Sequence, residues 1–203
     1  MGLADIEFEL SDSERAVCDQ AHKFADEVMR PAAVQLDRLS DQADVVARNS
    51  VLWSVFARFH DLGFDAIESP DADASPLQAA RLRFLVNEEL GWGDSGLAIS
   101  LGVAGFHRFF ARLSGRPELI ERFCHPASRD IGCWAVTEPD HGSDTLAFDQ
   151  RHFKDPAIRA NCVARKEGAE WVIRGQKSAW VSNGTIATVA ALFCTIDPSH
   201  GFD

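Results

Sequence analysis

The hydrophobic periodicity of this chain changes near residue 128, and the change restricts it to a helical segment followed by a strand-rich one. Up to about residue 125 the spacing is helical. Ala21, Phe24, Ala25 and Val28 stand at i, i+3, i+4 and i+7 and form one apolar stripe. Ser11 and Glu14 make a capping-box pair that opens this helix, and Pro31 is expected to kink or end it. Leu52, Val55, Phe56, Phe59 and Leu62 mark a second helix, with Gly63 as its C-terminal cap. Residues 69–75, rich in Asp, Pro and Ala, read as a loop. Ser75-Pro76 then supplies a cap and a first-turn proline for a third helix carrying Leu82, Leu85, Val86 and Leu90. A fourth helix is predicted over residues 95–113. Pro117 opens a short fifth, with Glu118 and Glu121 near its positive end.

Beyond Arg129 the pattern is strand-like. Residues 131–136 are one apolar run, and residues 160–166 and 170–174 flank Gly168 as a hairpin would. Residues 179–182 and 187–195 follow, separated by Asn183-Gly184. Val189 through Cys194 is continuously apolar, the pattern of a strand buried on both faces. The polar stretch 149–161 contains Pro156 and reads as a loop. No internal repeat is visible. Residues 197–203 have a turn composition, four or five strands are few for an independent β-domain, and the last strand would present an unprotected edge. The expected fold class is α+β, multidomain. An all-α helical domain (1–128) precedes an antiparallel β-barrel-like or sandwich domain (129–203) that is expected to be incomplete.

Composition narrows the partners. With 203 residues and 46% hydrophobic content the chain can bury a real core. A net charge of −11 argues against a nucleic-acid partner, which needs a basic footprint, and leaves no polybasic patch for a membrane surface. No apolar run approaches the roughly 18 residues of a membrane span. The acidic N-terminus lacks a signal-peptide pattern, and Ile6 breaks the myristoylation pattern. The five cysteines are irregularly spaced and include no Cys-x-x-Cys pair, so no zinc or redox motif is suggested. Reduced thiols in a cytoplasm are the expectation. In such a compartment Asn183-Gly184-Thr185 is not a glycosylation site.

The most informative stretch is 133–144, Cys-Trp-Ala-Val-Thr-Glu-Pro-Asp-His-Gly-Ser-Asp. A buried strand ends there in a loop crowded with backbone N–H and hydroxyl donors, which suits an anionic or heteroaromatic ligand; an ordinary strand followed by a polar turn would read alike. Other motifs fail on context. Gly91-Trp92-Gly93-Asp94-Ser95-Gly96 spells Gly-x-Gly-x-x-Gly, but it follows a helix rather than a strand, so it reads as an interhelical loop whose glycines supply positive φ. Gly175-Gln176-Lys177-Ser178 lacks the glycine pattern of a phosphate-binding loop, and Lys177 reads as a solvated strand residue. His141 between Asp140 and Asp144 does not make a metal site, which needs three or four convergent ligands. His107, His125 and Cys124 read as structural. No nucleophilic triad can be assembled. Trp171 and Trp180 are strand aromatics, ordinarily core; Trp180, followed at once by Ser182, Asn183 and Gly184, is also placed to flank a planar cofactor.

Several segments together resemble the acyl-CoA dehydrogenase family. Trp134-Ala135-Val136-Thr137-Glu138-Pro139 is similar to its aromatic-x-x-Thr-Glu-Pro strand, and Gly142-Ser143-Asp144 to the Gly-Ser-Asp that follows. Gly175-Gln176-Lys177-Ser178-Ala179-Trp180-Val181-Ser182-Asn183 is similar to its Gly-x-Lys-x-x-Trp-Ile-Ser/Thr-Asn stretch. Leu10-Ser11, the residues from Phe24 to Ala32, and those from Asn87 to Ala98 resemble its first helices. The resemblance implies FAD, and removal of two hydrogens across the Cα–Cβ bond of an acyl-CoA thioester, the chemistry of fatty-acid metabolism. A carboxylate takes the α-proton, flavin N5 accepts the β-hydride, and the protein positions the cofactor. Residue by residue, Trp134, Val136 and Thr137 match positions that bound the flavin ring and bond its pyrimidine edge. Ser143 matches one at the FAD pyrophosphate that also meets acyl-CoA. Trp180, Val181 and Ser182 match the aromatic against the flavin and its neighbours, with the Ser182 hydroxyl toward N5.

The departures are Asp140-His141, where the family has small residues, and a longer stretch over 149–161. The family's catalytic Glu lies in a C-terminal helical domain that no residue here matches, so no catalytic residue is assigned, and Glu138 is not promoted to base. The chain is expected to be a fragment, inactive alone, of a protein that takes acyl-CoA as substrate, passes electrons to electron-transfer flavoprotein or another acceptor, and forms a homo-oligomer. The alternatives are a non-catalytic remnant or subunit that pairs with a full-length partner, and a helical scaffold unrelated to flavin.

Overall fold

Ser11 and Glu14 start the first helix as their spacing predicts. The Ser11 Oγ accepts from the Glu14 N–H at 3.3 Å, and the Glu14 carboxylate accepts from the Ser11 N–H at 2.9 Å. The computed structural model describes residues 10–67, 75–142, 149, 160–178 and 182–196. Helix α1 (Asp12–Phe24) buries Cys18, Ala21 and Phe24. Pro31 does not end it. A π-helical turn over Ala25–Met29 leads into α2 (Arg30–Asp37). That wider turn accommodates both the N–H that proline lacks and the bulk of its ring.

The short α3 (Gln42–Val45) is capped by Asp41, and α4 (Leu52–Asp61) buries Leu52, Val55 and Phe59. Gly63, at φ 75°, follows as predicted and donates to the His60 carbonyl at 2.9 Å. The rings of Phe24, Phe59 and Phe64 then form the centre of this core, with centroids 5.7 to 6.0 Å apart. A second capping box, Ser75 with Gln78, opens α5 (Pro76–Gly93).

Asp94 is a two-way punctuation mark. Its N–H closes α5 on the Leu90 carbonyl at 3.0 Å, and its carboxylate accepts from the Leu97 N–H at 2.7 Å to open α6 (Ser95–Ala104). The Gly-x-Gly-x-x-Gly run is thus a helix junction. Positive φ is not its reason, because among the described residues the positive-φ glycines are Gly63, Gly115, Gly168 and Gly175. Gly93 serves close approach instead: a Cβ there would lie 2.8 Å from the Ala25 Cβ.

The predicted fourth helix is divided. Helix α6 ends at Gly105, α7 (Phe106–Leu113) follows, and then comes α8 (Pro117–Phe123). The chain separates into two compact units at that same point, Met1–Gly105 and Phe106–Asp203.

In the second unit β1 (Gly132–Ala135) pairs in parallel with β4 (Val189–Leu192). Strand β2 (Val163–Glu167) pairs antiparallel with β3 (Glu170–Arg174) about Gly168, at φ 65°, and in parallel with β5 (Thr195–Ile196). The α+β class holds. The described strands close no barrel, and their pairing is mixed rather than antiparallel throughout. Only the hairpin has a link short enough to force antiparallel pairing; the long excursion between β1 and β4 allows the parallel return. Helix α7 packs on β1 and β4, and Trp134 sits edge-on to Phe106 (4.6 Å between centroids) and stacked on Phe193 (5.8 Å). Strand β4 is not buried on both faces: it alternates, and Leu192 is 41% exposed. Among the described residues one strand and one helix are its neighbours, which leaves its other side uncovered by them.

His107 is buried against Phe123, the structural role expected of it. All five cysteines are free. Among the described residues no helix is long and apolar enough to cross a membrane.

Candidate functional site

The site is built where β1 ends. Val136 and Thr137 are half-buried, and Glu138 is 2% exposed. An acid this deep must have its oxygens satisfied, and three chain segments converge to do it. One oxygen accepts from the Lys177 ammonium at 2.8 Å and from the Cys162 N–H at 3.0 Å. The other accepts from the Asn161 N–H. The Glu138 N–H turns back to the His141 carbonyl at 2.7 Å, which makes the corner after Pro139. Burial pushes the Glu138 carboxyl up, but the bonds from Lys177, Cys162 and Asn161, with the Lys177 charge, outweigh it and hold the group below its ordinary value.

Lys177 is therefore not a solvated strand residue. Its side chain is only 12% exposed, because the buried acid requires a counter-charge. Its ammonium also donates to the Val136 carbonyl at 2.9 Å, and the adjacent Ser178 N–H donates to the Thr137 carbonyl at 3.1 Å. Just upstream, Gly175 at φ 152° passes so close to Cys162 that a Cβ would lie 2.4 Å from the Cys162 Cα.

The second motif returns at the other end of β1. Asn183, left-handed at φ 63°, accepts from the Ile186 and Ala187 N–H groups at 2.9 and 2.8 Å and donates its side-chain amide to the Gly132 carbonyl at 3.2 Å. Ser182 is half-buried beside it. At the entry to the strands, Asp130 accepts from Arg122 (3.0 Å), Ser128 (3.0 Å) and Thr188 (3.1 Å).

Of the sequence-predicted residues, Trp134, Val136 and Thr137 lie together along β1 and its continuation, and Ser182 lies in the turn tied to the start of that strand. Ser143, Trp180 and Val181 lie outside the described residues. The described residues fit a planar heteroaromatic group. Trp134 supplies an aromatic side chain, its buried Nε1–H has no acceptor among the described residues, and the half-buried residues Thr137 and Ser182 carry hydroxyls. Among the described residues no three His, Cys, Asp or Glu side chains group to hold a metal.

Sequence reasoning missed Lys177, Glu138 and Asn183 as site-building residues. A signal was present: Glu138 stands two residues after one apolar run and Lys177 two residues before another, so each charge lies next to a segment bound for a core. An Asn before Gly marks a left-handed turn.

With this geometry in view, comparison with known proteins points one way. No protein-family model matches the chain. Benzylmalonyl-CoA dehydrogenase of Aromatoleum aromaticum is 28% identical over 191 residues, covering 93% of this chain and 45% of that protein. Short-chain specific acyl-CoA dehydrogenase of Rattus norvegicus is 26% identical, covering 95% of this chain and 42% of that protein. Among solved structures, an active-site mutant of nitroalkane oxidase crystallised with 1-nitrooctane superposes with a TM-score of 0.74 at 22% identity, over 98% of this chain and 46% of that one. The FAD complex of PigA does so at 0.67. The chain thus resembles acyl-CoA dehydrogenases over nearly its whole length and shares the fold of these flavoproteins. It spans less than half the length of the relatives it matches.

Proposed function

We propose that this chain is the flavin-side portion of an FAD-dependent acyl-CoA dehydrogenase-like oxidoreductase, acting on the CH–CH bond of acyl-CoA thioesters. The observation that carries the reading is the meeting of its two motif segments. Residues 136–138 bond residues 177–178 at one end of β1, and Asn183 bonds Gly132 at the other. Two stretches some forty residues apart thereby hold one strand at both its ends. Trp134, Val136, Thr137 and Ser182, with Ser143, Trp180 and Val181, would hold FAD, and Ser143 would also meet the thioester. FAD would supply the two-electron acceptor.

Glu138 is not the base in this reading. Both its oxygens are engaged, and Lys177 holds it ionised and enclosed. No catalytic carboxylate is assigned to these residues, and turnover by them alone is not expected. Helical residues 1–128 and flavin-contacting residues 129–203 are the two domains of the reading, and a cytoplasmic homo-oligomer is the expected form of the working protein. Its partners would be acyl-CoA and electron-transfer flavoprotein or another electron acceptor. A second reading, a non-catalytic subunit paired with a longer dehydrogenase-like chain, draws support from the exposed sheet residues Trp171, Ile173 and Ile196.

Titration of ¹⁵N-labelled chain with FAD tests the proposal. The indole N–H of Trp134, identified by Trp134→Phe, and the amides of Thr137 and Ser182 should shift. If FAD at millimolar concentration leaves all three unmoved in folded protein, the flavin reading fails. Dehydrogenation of an acyl-CoA by these residues alone, with an artificial electron acceptor, would overturn the absence of a base.

A further inference from the structure

Lys177 is the least expected residue of the site, a buried cation that sequence reasoning placed in solvent. An apolar side chain could fill its space, but it could not select which backbone groups meet. The ammonium makes that selection. It bonds the Val136 carbonyl and the Glu138 carboxylate together, while Ser178 bonds the Thr137 carbonyl. A slip of one residue between these segments would exchange the faces on which Trp134 and Val136, or Ala135 and Thr137, lie. Glu138 is in turn held by Asn161 and Cys162, so the cation is tied to a third segment as well.

The bond to Val136 has a second consequence. The Val136 carbonyl and the Thr137 N–H belong to one peptide group. An ammonium on that carbonyl withdraws electron density from the peptide, and hydrogen bonds polarise one another along such a chain. The Thr137 N–H thereby becomes a stronger donor, and a ligand that gains negative charge benefits most from it.

We propose that Lys177 is a positioning residue that acts through the Val136–Thr137 peptide, fixing its register and strengthening its N–H as a donor toward the reduced flavin. The inference rests on the flavin reading given above. Glu138 is then the fixed counter-charge of this device.

The test uses the ¹⁵N-labelled chain unaltered, as Lys177→Met, as Lys177→Arg, and as the double variant Glu138→Gln with Lys177→Met. The double variant leaves no buried charge unpaired, so it reports even where Lys177→Met fails to fold. Without ligand, the Thr137 amide proton should move upfield in the double variant and return toward its original position in Lys177→Arg. Fluorescence titration should show FAD bound about threefold to tenfold more weakly by the double variant, the scale of one hydrogen bond. Dithionite-reduced FAD should be weakened more than the oxidised form. A purely structural clamp would weaken both forms equally and leave the Thr137 signal in place, and either result overturns the proposal. If FAD moves no signal in the unaltered chain, the flavin reading falls and takes this role with it. If it does, and the variants bind both forms as the unaltered chain does, the positioning role alone is refuted.

Discussion

The two compact units differ in how deep their long-range polar bonds lie. In the helical unit α1, α3, α5 and α6 each open on a local side-chain cap. Ser11 with Glu14, Asp41, Ser75 with Gln78, and Asp94 all act within three residues of themselves. Long-range polar bonds there lie toward the surface, His22 with Glu89 (2.7 Å), Arg81 with Glu14 (3.2 Å) and Arg30 with the Trp92 carbonyl (3.2 Å), beside ring packing and one close backbone approach, Gly93 on Ala25. The strand unit depends on contacts across long separations: Glu138 to Lys177, Asp130 to Thr188, Asn183 to Gly132. A local device can be lost singly at small cost. A buried charge cannot lose its partner without stranding the other, so damage to the strand unit should be larger and more cooperative.

Lys177→Met should show this most strongly, costing about 3–5 kcal/mol in the strand unit because Glu138 is left buried without its cation. Denaturant unfolding combined with hydrogen exchange resolved by unit would check it; equal loss of protection in both units would break the contrast.

Acid should attack the same pair. Glu138 and Asp130 both lie below their ordinary values. For each, burial pushes the carboxyl up, and hydrogen bonds and a nearby cation (Lys177 or Arg122) outweigh it. Groups with depressed folded values stabilise above their unfolded values, here about 4.5 and 3.8, and lose that contribution as pH falls through the folded values. Melting of the strand unit between pH 6 and 3 should therefore fall steeply below about pH 4.5, and less steeply in Glu138→Gln. A slope unchanged in that variant would remove Glu138 from the account.

Gly175→Ala should cost about 3 kcal/mol, combining an unfavourable φ with a clash against the Cys162 backbone. In the other unit, Gly93→Ala should cost about 1–3 kcal/mol through overpacking on Ala25. A neutral or stabilised Gly93→Ala would mean that the helices separate freely and that the approach is not required. The smallest effect belongs to Ser75→Ala, about 1 kcal/mol for a lost cap, read as a modest drop in melting temperature.

The same division explains what could be read ahead. The caps at Ser11–Glu14 and Ser75, Gly63 and the Gly168 hairpin were legible because their physics spans only a few residues. Pro31 does not end its helix because a π-helical turn, supported by the packed Ala25 and Met29, absorbs a residue that would break an isolated helix. Strand β4 was misjudged because an apolar run says that a strand can be buried, while its neighbours decide which faces are covered. In the candidate site, the resemblance pointed to Trp134, Val136, Thr137 and Ser182 as motif residues, but their arrangement was not legible.

The sequence by itself therefore determined the capped starts of α1 and α5, the Gly63 stop after α4, the α+β order of elements, and the residue types available at the end of β1. Only the tertiary structure decided that Lys177 leaves solvent to meet Glu138, that β1 and β4 run in parallel, and that Asn183 closes back on Gly132. The physical reason is range. Backbone capping and φ preferences act within one turn of chain, whereas a buried ion pair exists only once folding has excluded water from two residues thirty-nine positions apart.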